Sequence, residues 1–105
     1  MSKIKMQSLA KVVARNHGIR VTDLTSPSRG RYAAYPRFTF EWIARNKLGY
    51  STTQIGRFLG GRDHTTVIYG ARQAEELGLI DAENVHSLLE QAQAENENQL
   101  TKWRI

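Results

Sequence analysis

Nearly every segment of this chain places its apolar residues at helical spacing, and no run alternates with period two. That pattern excludes a sheet-built core and sets the expected fold class as all-α, a compact multi-helix domain. Over about 5–17, Leu9, Val12, Val13 and Met6 share one face, and Gly18 follows as a stop. Ile19, Val21 and Leu24 fit a short core-facing turn, too brief for an independent strand. Thr25 to Arg31 reads as a loop from its Pro, Gly and Ser content. Pro36 suits the first turn of the next helix, where a missing N–H costs nothing. That helix should run to about Leu48, bury Phe40, Ile43, Ala44 and Leu48, and end at Gly49. Ser51-Thr52-Thr53-Gln54 matches a capping box and opens a short helix with Ile55, Phe58 and Leu59 inward. A last helix is expected over roughly 81–98, burying Val85, Leu88, Leu89 and Ala92. The expected domain covers 1–92, followed by a polar tail over 93–105 that frays, although Leu100, Trp103 and Ile105 could dock.

Between the fourth and last of these helices lies Gly60-Gly61-Arg62-Asp63-His64-Thr65-Thr66-Val67-Ile68-Tyr69. Two glycines make a tight turn, and a new helix follows at once. Asp63 suits the N-cap, accepting from backbone N–H groups with a charge matched to the positive helix end. Val67, Ala71, Ala74 and Leu77 form the expected buried face, and the small alanines permit close helix approach. The opposite face carries hydrogen-bonding side chains and few apolar anchors. A short helix, a glycine turn and a second helix with an outward polar face make a helix-turn-helix. Asp, His and Thr at its start suit the reading of base edges in a DNA groove.

The charge balance points the same way. The net charge is +5, and its distribution is uneven. Residues 1–28 hold five Lys/Arg against one Asp. Residues 29–72 hold eight against Glu41 and Asp63, whereas 73–105 hold two against seven acids. The positive field therefore centres on the helix-turn-helix and favours an acidic partner. The 105 residues fit one domain with a core of modest size. There are no cysteines, which excludes disulfides and thiolate metal sites, and His17, His64 and His86 stand far apart. No cofactor and no metal are expected. No apolar run is long enough for a bilayer, and the N-terminus lacks the apolar segment of a signal peptide, so a cytoplasmic location is expected.

The run from Gly60 to Val67 resembles the signature of the C-terminal DNA-binding domain of the bacterial replication initiator DnaA. Val21-Thr22-Asp23-Leu24, Arg29-Gly30-Arg31, Pro36-Arg37, Ile55-Gly56 and Phe58 fall at that family's spacing without gaps, so the resemblance covers roughly 7–92. It implies a helix-turn-helix similar to that of the Trp repressor, binding double-stranded DnaA boxes as a monomer. It implies that Asp63, His64 and Thr65 read bases in the major groove, with Thr66 also touching DNA. It implies further that Arg29 enters the neighbouring minor groove, and that Arg37, Thr52 and Thr53 approach phosphates. These roles suit the side chains: a carboxylate accepts from cytosine N4, Thr offers a methyl to thymine, and Arg suits a narrow A·T-rich minor groove.

Alternatives stay open at several positions. Asp63 can cap as well as read. Arg31 lies close enough to replace Arg29 in the minor groove. Arg37 serves phosphate or a structural pair; Arg62 serves phosphate or braces the turn. Tyr69 stands where the family commonly has His, and Tyr35 where it has Arg; Tyr69 can pack on Thr65 or reach the DNA backbone. Phe38 replaces a polar residue near DNA. Trp42 and Trp103 suit a core or a partner contact. No Gly-x-x-x-x-Gly-Lys-Ser/Thr run is present, so the resemblance carries no ATPase. The expected function is regulation of replication initiation or transcription at DnaA-box-like sites, in a nucleoid-associated or phage-encoded protein. A module docking onto full-length initiator or a second copy is the alternative. An enzyme using Asp63 and His64 is disfavoured, because adjacent helical residues point about 100° apart.

Overall fold

The computed structural model describes residues 3–26 and 31–101, the side chains of Arg31 and of residues 99–101 excepted. Six helices make up the described chain: α1 (Met6–Asn16), α2 (Val21–Thr25), α3 (Arg31–Asn46), α4 (Thr52–Phe58), α5 (His64–Glu76) and α6 (Ala82–Thr101). No strand occurs among the described residues.

The helix α3 is the centre of the fold. It packs against α1, α2, α4 and α5, and its Phe40, Ile43 and Ala44 are fully buried. Leu9, Val12 and Val13 of α1, Leu24 of α2, Ile55 of α4, Val67 of α5 and Leu88 of α6 complete one core. Phe40 stacks on Phe58 at a centroid distance of 5.5 Å, tying α3 to α4. Each such fully buried side chain contributes about 1.5–3 kcal/mol relative to exposure.

The short core-facing turn expected around Leu24 is a single helical turn; Asp23 Oδ2 accepts from the Arg20 N–H at 2.9 Å and fixes its start. Other expectations change. Helix α3 begins at Arg31, so Pro36 sits inside it. Proline's fixed φ is compatible with helix, only the bond to the Tyr32 carbonyl is forfeited, and Ala33 and Ala34 are strong helix formers. Leu77 is 43% exposed, because α5 ends at Glu76 and Leu77 leaves the buried stripe as its C-cap.

At the C-terminal end, α6 runs unbroken through 92, as the helix expected over 81–98 does, but the polar stretch expected to fray is held in place. Asn96, 1% exposed, anchors it to α1. Its Oδ1 accepts from the Lys5 N–H at 3.0 Å and the Ser8 hydroxyl at 3.2 Å, and its Nδ2 donates to the Lys3 carbonyl at 3.4 Å. The N-cap residue of α1, Lys5, has a side chain that makes no capping bond, and its own N–H is met by Asn96 from 91 residues away. Glu95 adds ion pairs to Lys11 and Arg15 at 3.6 and 3.7 Å. The expected Leu100, Trp103 and Ile105 cluster lies outside the residues whose side chains are described.

Candidate nucleic-acid interface

Helix α4 is short but well started. Ser51 Oγ accepts from the Gln54 N–H at 3.0 Å, and Gln54 Oε1 accepts from the Ser51 N–H at 2.9 Å. This is the capping box read from the sequence, and it leaves Thr52 half-buried and Thr53 exposed on the first turn. The helix stops at Gly60 and Gly61, whose φ of +86° and +87° lie in the region that disfavours side chains. The N–H groups of Gly61 and Arg62 both return to the Gly56 carbonyl, at 3.0 and 2.8 Å. A Cβ on Gly56 would overlap the Arg62 carbonyl, and one on Gly60 would overlap the Thr25 carbonyl. The turn is therefore folded back on α4 and pressed against the end of α2.

Asp63 caps α5. Its Oδ2 accepts from the Thr65 N–H at 3.3 Å and also from the Thr65 hydroxyl, while Oδ1 lies 3.4 Å from His64 Nδ1. The Thr65 hydroxyl, with the Thr65 N–H and His64, holds the Asp63 carboxyl below its ordinary pKa. Asp63 is thus an ionised acceptor, pinned in place yet open to solvent. With its hydroxyl turned to Asp63, Thr65 keeps its methyl for an apolar partner. Asp63, His64, Thr65, Thr66 and Tyr69 are all exposed, while Val67, Gly70, Ala71 and Ala74 line the buried face. All five are thus open to solvent over the first two turns of α5, with Thr65, Thr66 and Tyr69 on adjoining positions at three- and four-residue spacing. Arg57 and Arg72, which the sequence marked only as charge, are exposed nearby on the same two helices.

Two arginines are turned inward. Arg37 is a correction: its side chain is interior, 6% exposed, rather than presented to phosphate. Its Nε donates to the Leu24 carbonyl at 2.9 Å, and its Nη2 to the carbonyls of Asp23 and Ser26 at 3.0 and 3.4 Å. These carbonyls at the end of α2 have no continuing helix to satisfy them, and the guanidinium fork supplies the donors. Arg62 takes the second of its two expected roles and braces the turn: Nη2 donates to the Ser26 carbonyl at 2.8 Å. Both arginines therefore converge on the carbonyl of Ser26, just beyond the end of α2. Arg29 lies outside the described residues. Arg31 starts α3, and its side chain is not described.

Behind α5 lies a feature the sequence showed only as a charge. Glu41 of α3 is 1% exposed, and neither carboxylate oxygen has a hydrogen-bond partner. It abuts Gly70, where any Cβ would overlap its carboxylate. Burial raises its pKa from an ordinary 4.5 to about 8, against the opposing pull of Arg37 and Arg62. Glycine at 70 thus lets α5 lie close on α3 with a largely protonated acid between them at neutral pH.

Residues 6–74 match the family model described as the bacterial DnaA protein helix-turn-helix. The chain belongs to the DnaA helix-turn-helix family. It is an all-α DNA-binding domain of that type. Similar relatives include the chromosomal replication initiator proteins DnaA of Ruegeria sp. (39% identical over 89 residues), Caulobacter vibrioides (37% over 86) and Francisella tularensis subsp. novicida (43% over 75). The matches cover 82%, 82% and 71% of this chain, but 19%, 18% and 15% of those proteins. The chain thus spans less than a fifth of the length of these DnaA relatives. Among the described residues, no cluster of three or more potential ligands could hold a metal ion, and no helix is long and apolar enough to cross a membrane.

Proposed function

We propose that this DnaA-type domain binds DnaA-box-like sites in double-stranded DNA sequence-specifically and so regulates replication initiation or transcription. It does this without hydrolysing ATP. The observation that carries the reading is the outward edge of α5. There an ionised, pinned Asp63 stands beside His64, Thr65 and Thr66 on a helix whose opposite face is buried. Placed in a major groove, Asp63 accepts from cytosine N4, His64 donates or accepts at a base edge, and Thr65 offers its methyl. Thr52, Thr53, Arg57 and Arg72 approach the phosphates on either side. Arg29, or Arg31 in its place, enters the adjacent minor groove. Arg37 and Arg62 act indirectly, by fixing the root of the loop that carries Arg29.

Selection of bound duplexes from a random library tests this. An enriched motif related to the DnaA box is expected, with affinity falling steeply as salt rises because each neutralised phosphate releases counterions. His64→Ala should lose about 1–3 kcal/mol of discrimination at one base pair while the domain stays folded. Equal affinity for selected and scrambled duplexes would refute sequence-specific binding.

A further inference from the structure

Tyr69 is 58% exposed and Tyr35 45%, large fractions for aromatic side chains in a small domain. They belong to one ring cluster with Phe38. The Tyr69 ring meets Phe38 edge-on at 6.2 Å and 85°, and Phe38 meets Tyr35 at 6.1 Å and 32°. Phe38 is half-buried over Gly70, so one side of the cluster is fixed to the α3–α5 contact. The other side is open at Tyr69. A T-shaped neighbour restricts the tyrosine ring and reduces the ordering needed when a partner arrives.

The position of Tyr69 on α5 decides what that partner is. It lies four residues beyond Thr65 and three before Arg72, so all three share the outward face opposite Val67 and Ala74. On a helix seated in the major groove, that position is one turn deeper along the base edges. Those edges are dominated by hydrogen-bonding atoms, and the thymine C5 methyl is the apolar group that projects furthest from them. A ring face held by a second ring suits the methyl and gains nothing from cytosine or a purine edge there.

We propose that Tyr69, positioned by Phe38, reads thymine through its C5 methyl at a base pair beside those read by Asp63, His64 and Thr65. Tyr69 makes the contact; Phe38 acts through Tyr69. This rests on the major-groove docking of α5 proposed above.

The test uses the full chain and the duplex it selects, with each thymine replaced singly by deoxyuridine, which removes only the methyl. Binding is measured by fluorescence anisotropy for wild type, Tyr69→Phe, Tyr69→Ala and Phe38→Leu, with far-UV circular dichroism as the folding check. At one thymine, wild type and Tyr69→Phe should lose roughly four-fold in affinity, the value of one apolar methyl-sized contact. Tyr69→Ala, an exposed substitution that leaves the core intact, should bind thymine and uracil alike at that position and keep its sensitivity elsewhere. Phe38→Leu should show a reduced thymine preference at the same position and no other change in site. If no thymine has a methyl preference dependent on residue 69, the inference is overturned. If Tyr69→Phe weakens every duplex equally, the hydroxyl serves a phosphate and the inference is likewise overturned. A protein that selects no sequence overturns both this and the underlying reading; one that selects a site without such a thymine overturns this alone.

Discussion

Glu41 offers a direct test of how α3 and α5 are joined. An acid whose folded pKa lies above its unfolded value opposes folding when ionised. The opposition is absent well below the unfolded pKa of 4.5, grows as pH rises through the window from 4.5 to about 8, and is constant above it. A tenfold difference in proton affinity between the folded and unfolded chain is worth about 1.4 kcal/mol. At pH 5 the penalty is therefore under about 1 kcal/mol, at pH 7 about 3, and above pH 8 it approaches about 5 kcal/mol. Glu41→Gln keeps the shape and removes the titration. Urea denaturation of both proteins between pH 5 and 9 isolates the effect, because every other group is common to both and cancels in the difference. The variant should match wild type near pH 5 and exceed it by about 3 kcal/mol at pH 7. A flat difference would show that Glu41 is not held neutral. A variant that grows weaker with pH would show that Glu41 is ionised and paired with Arg37 or Arg62, the opposite of a neutral buried acid.

Arg37→Ala should destabilise the fold by about 2–3 kcal/mol, because the buried Leu24 carbonyl and the part-buried Asp23 carbonyl lose their charged donor while Ser26 keeps Arg62; the urea midpoint should drop while a folded fraction keeps its sequence preference. Uniformly weakened binding with unchanged stability would restore Arg37 as a phosphate contact. Gly60→Ala should cost at least about 2 kcal/mol, combining a φ of +86° with overlap on Thr25, and thermal melting should reveal it. Asn96→Ala should cost about 1–3 kcal/mol by leaving the Lys5 N–H and the Ser8 hydroxyl without their acceptor, and hydrogen exchange should quicken first at the start of α1.

Local chemistry made much of the domain legible. The Ser51–Gln54 capping box, the Gly60–Gly61 turn and the Asp63 cap each involve partners within six residues, so residue order alone displays them. The buried stripes of α1 and of the first turns of α5 follow from periodicity for the same reason. What escaped depends on distance along the chain. Arg37 and Arg62 read as surface cations because their acceptors are backbone carbonyls 11–36 residues away, and any residue type supplies a carbonyl. Asn96 looked like part of a solvated polar tail because nothing local announces an acceptor 91 residues from its donor. Glu41 entered only as a charge, although it falls between Phe40 and Ile43 in the stretch of α3 that is most deeply buried. One hint was available: Gly70 in the middle of α5 has no turn to serve, and a mid-helix glycine signals something large packed against the backbone.

The joint hold of Arg37 and Arg62 on Ser26 has a geometric consequence for the DNA. One grip comes from α3 and the other from the residue before the α5 cap, so the end of α2 is tied at once to the central helix and to the start of the recognition helix. Groove positions rotate by roughly 35° for every base pair. On the reading proposed above, a contact made just beyond Ser26 and one made by α5 would then have to meet the duplex at one helical phase. Inserting or deleting a single base pair between the two contacted features would be expected to weaken binding, which makes spacing a property of the site apart from the identity of any base.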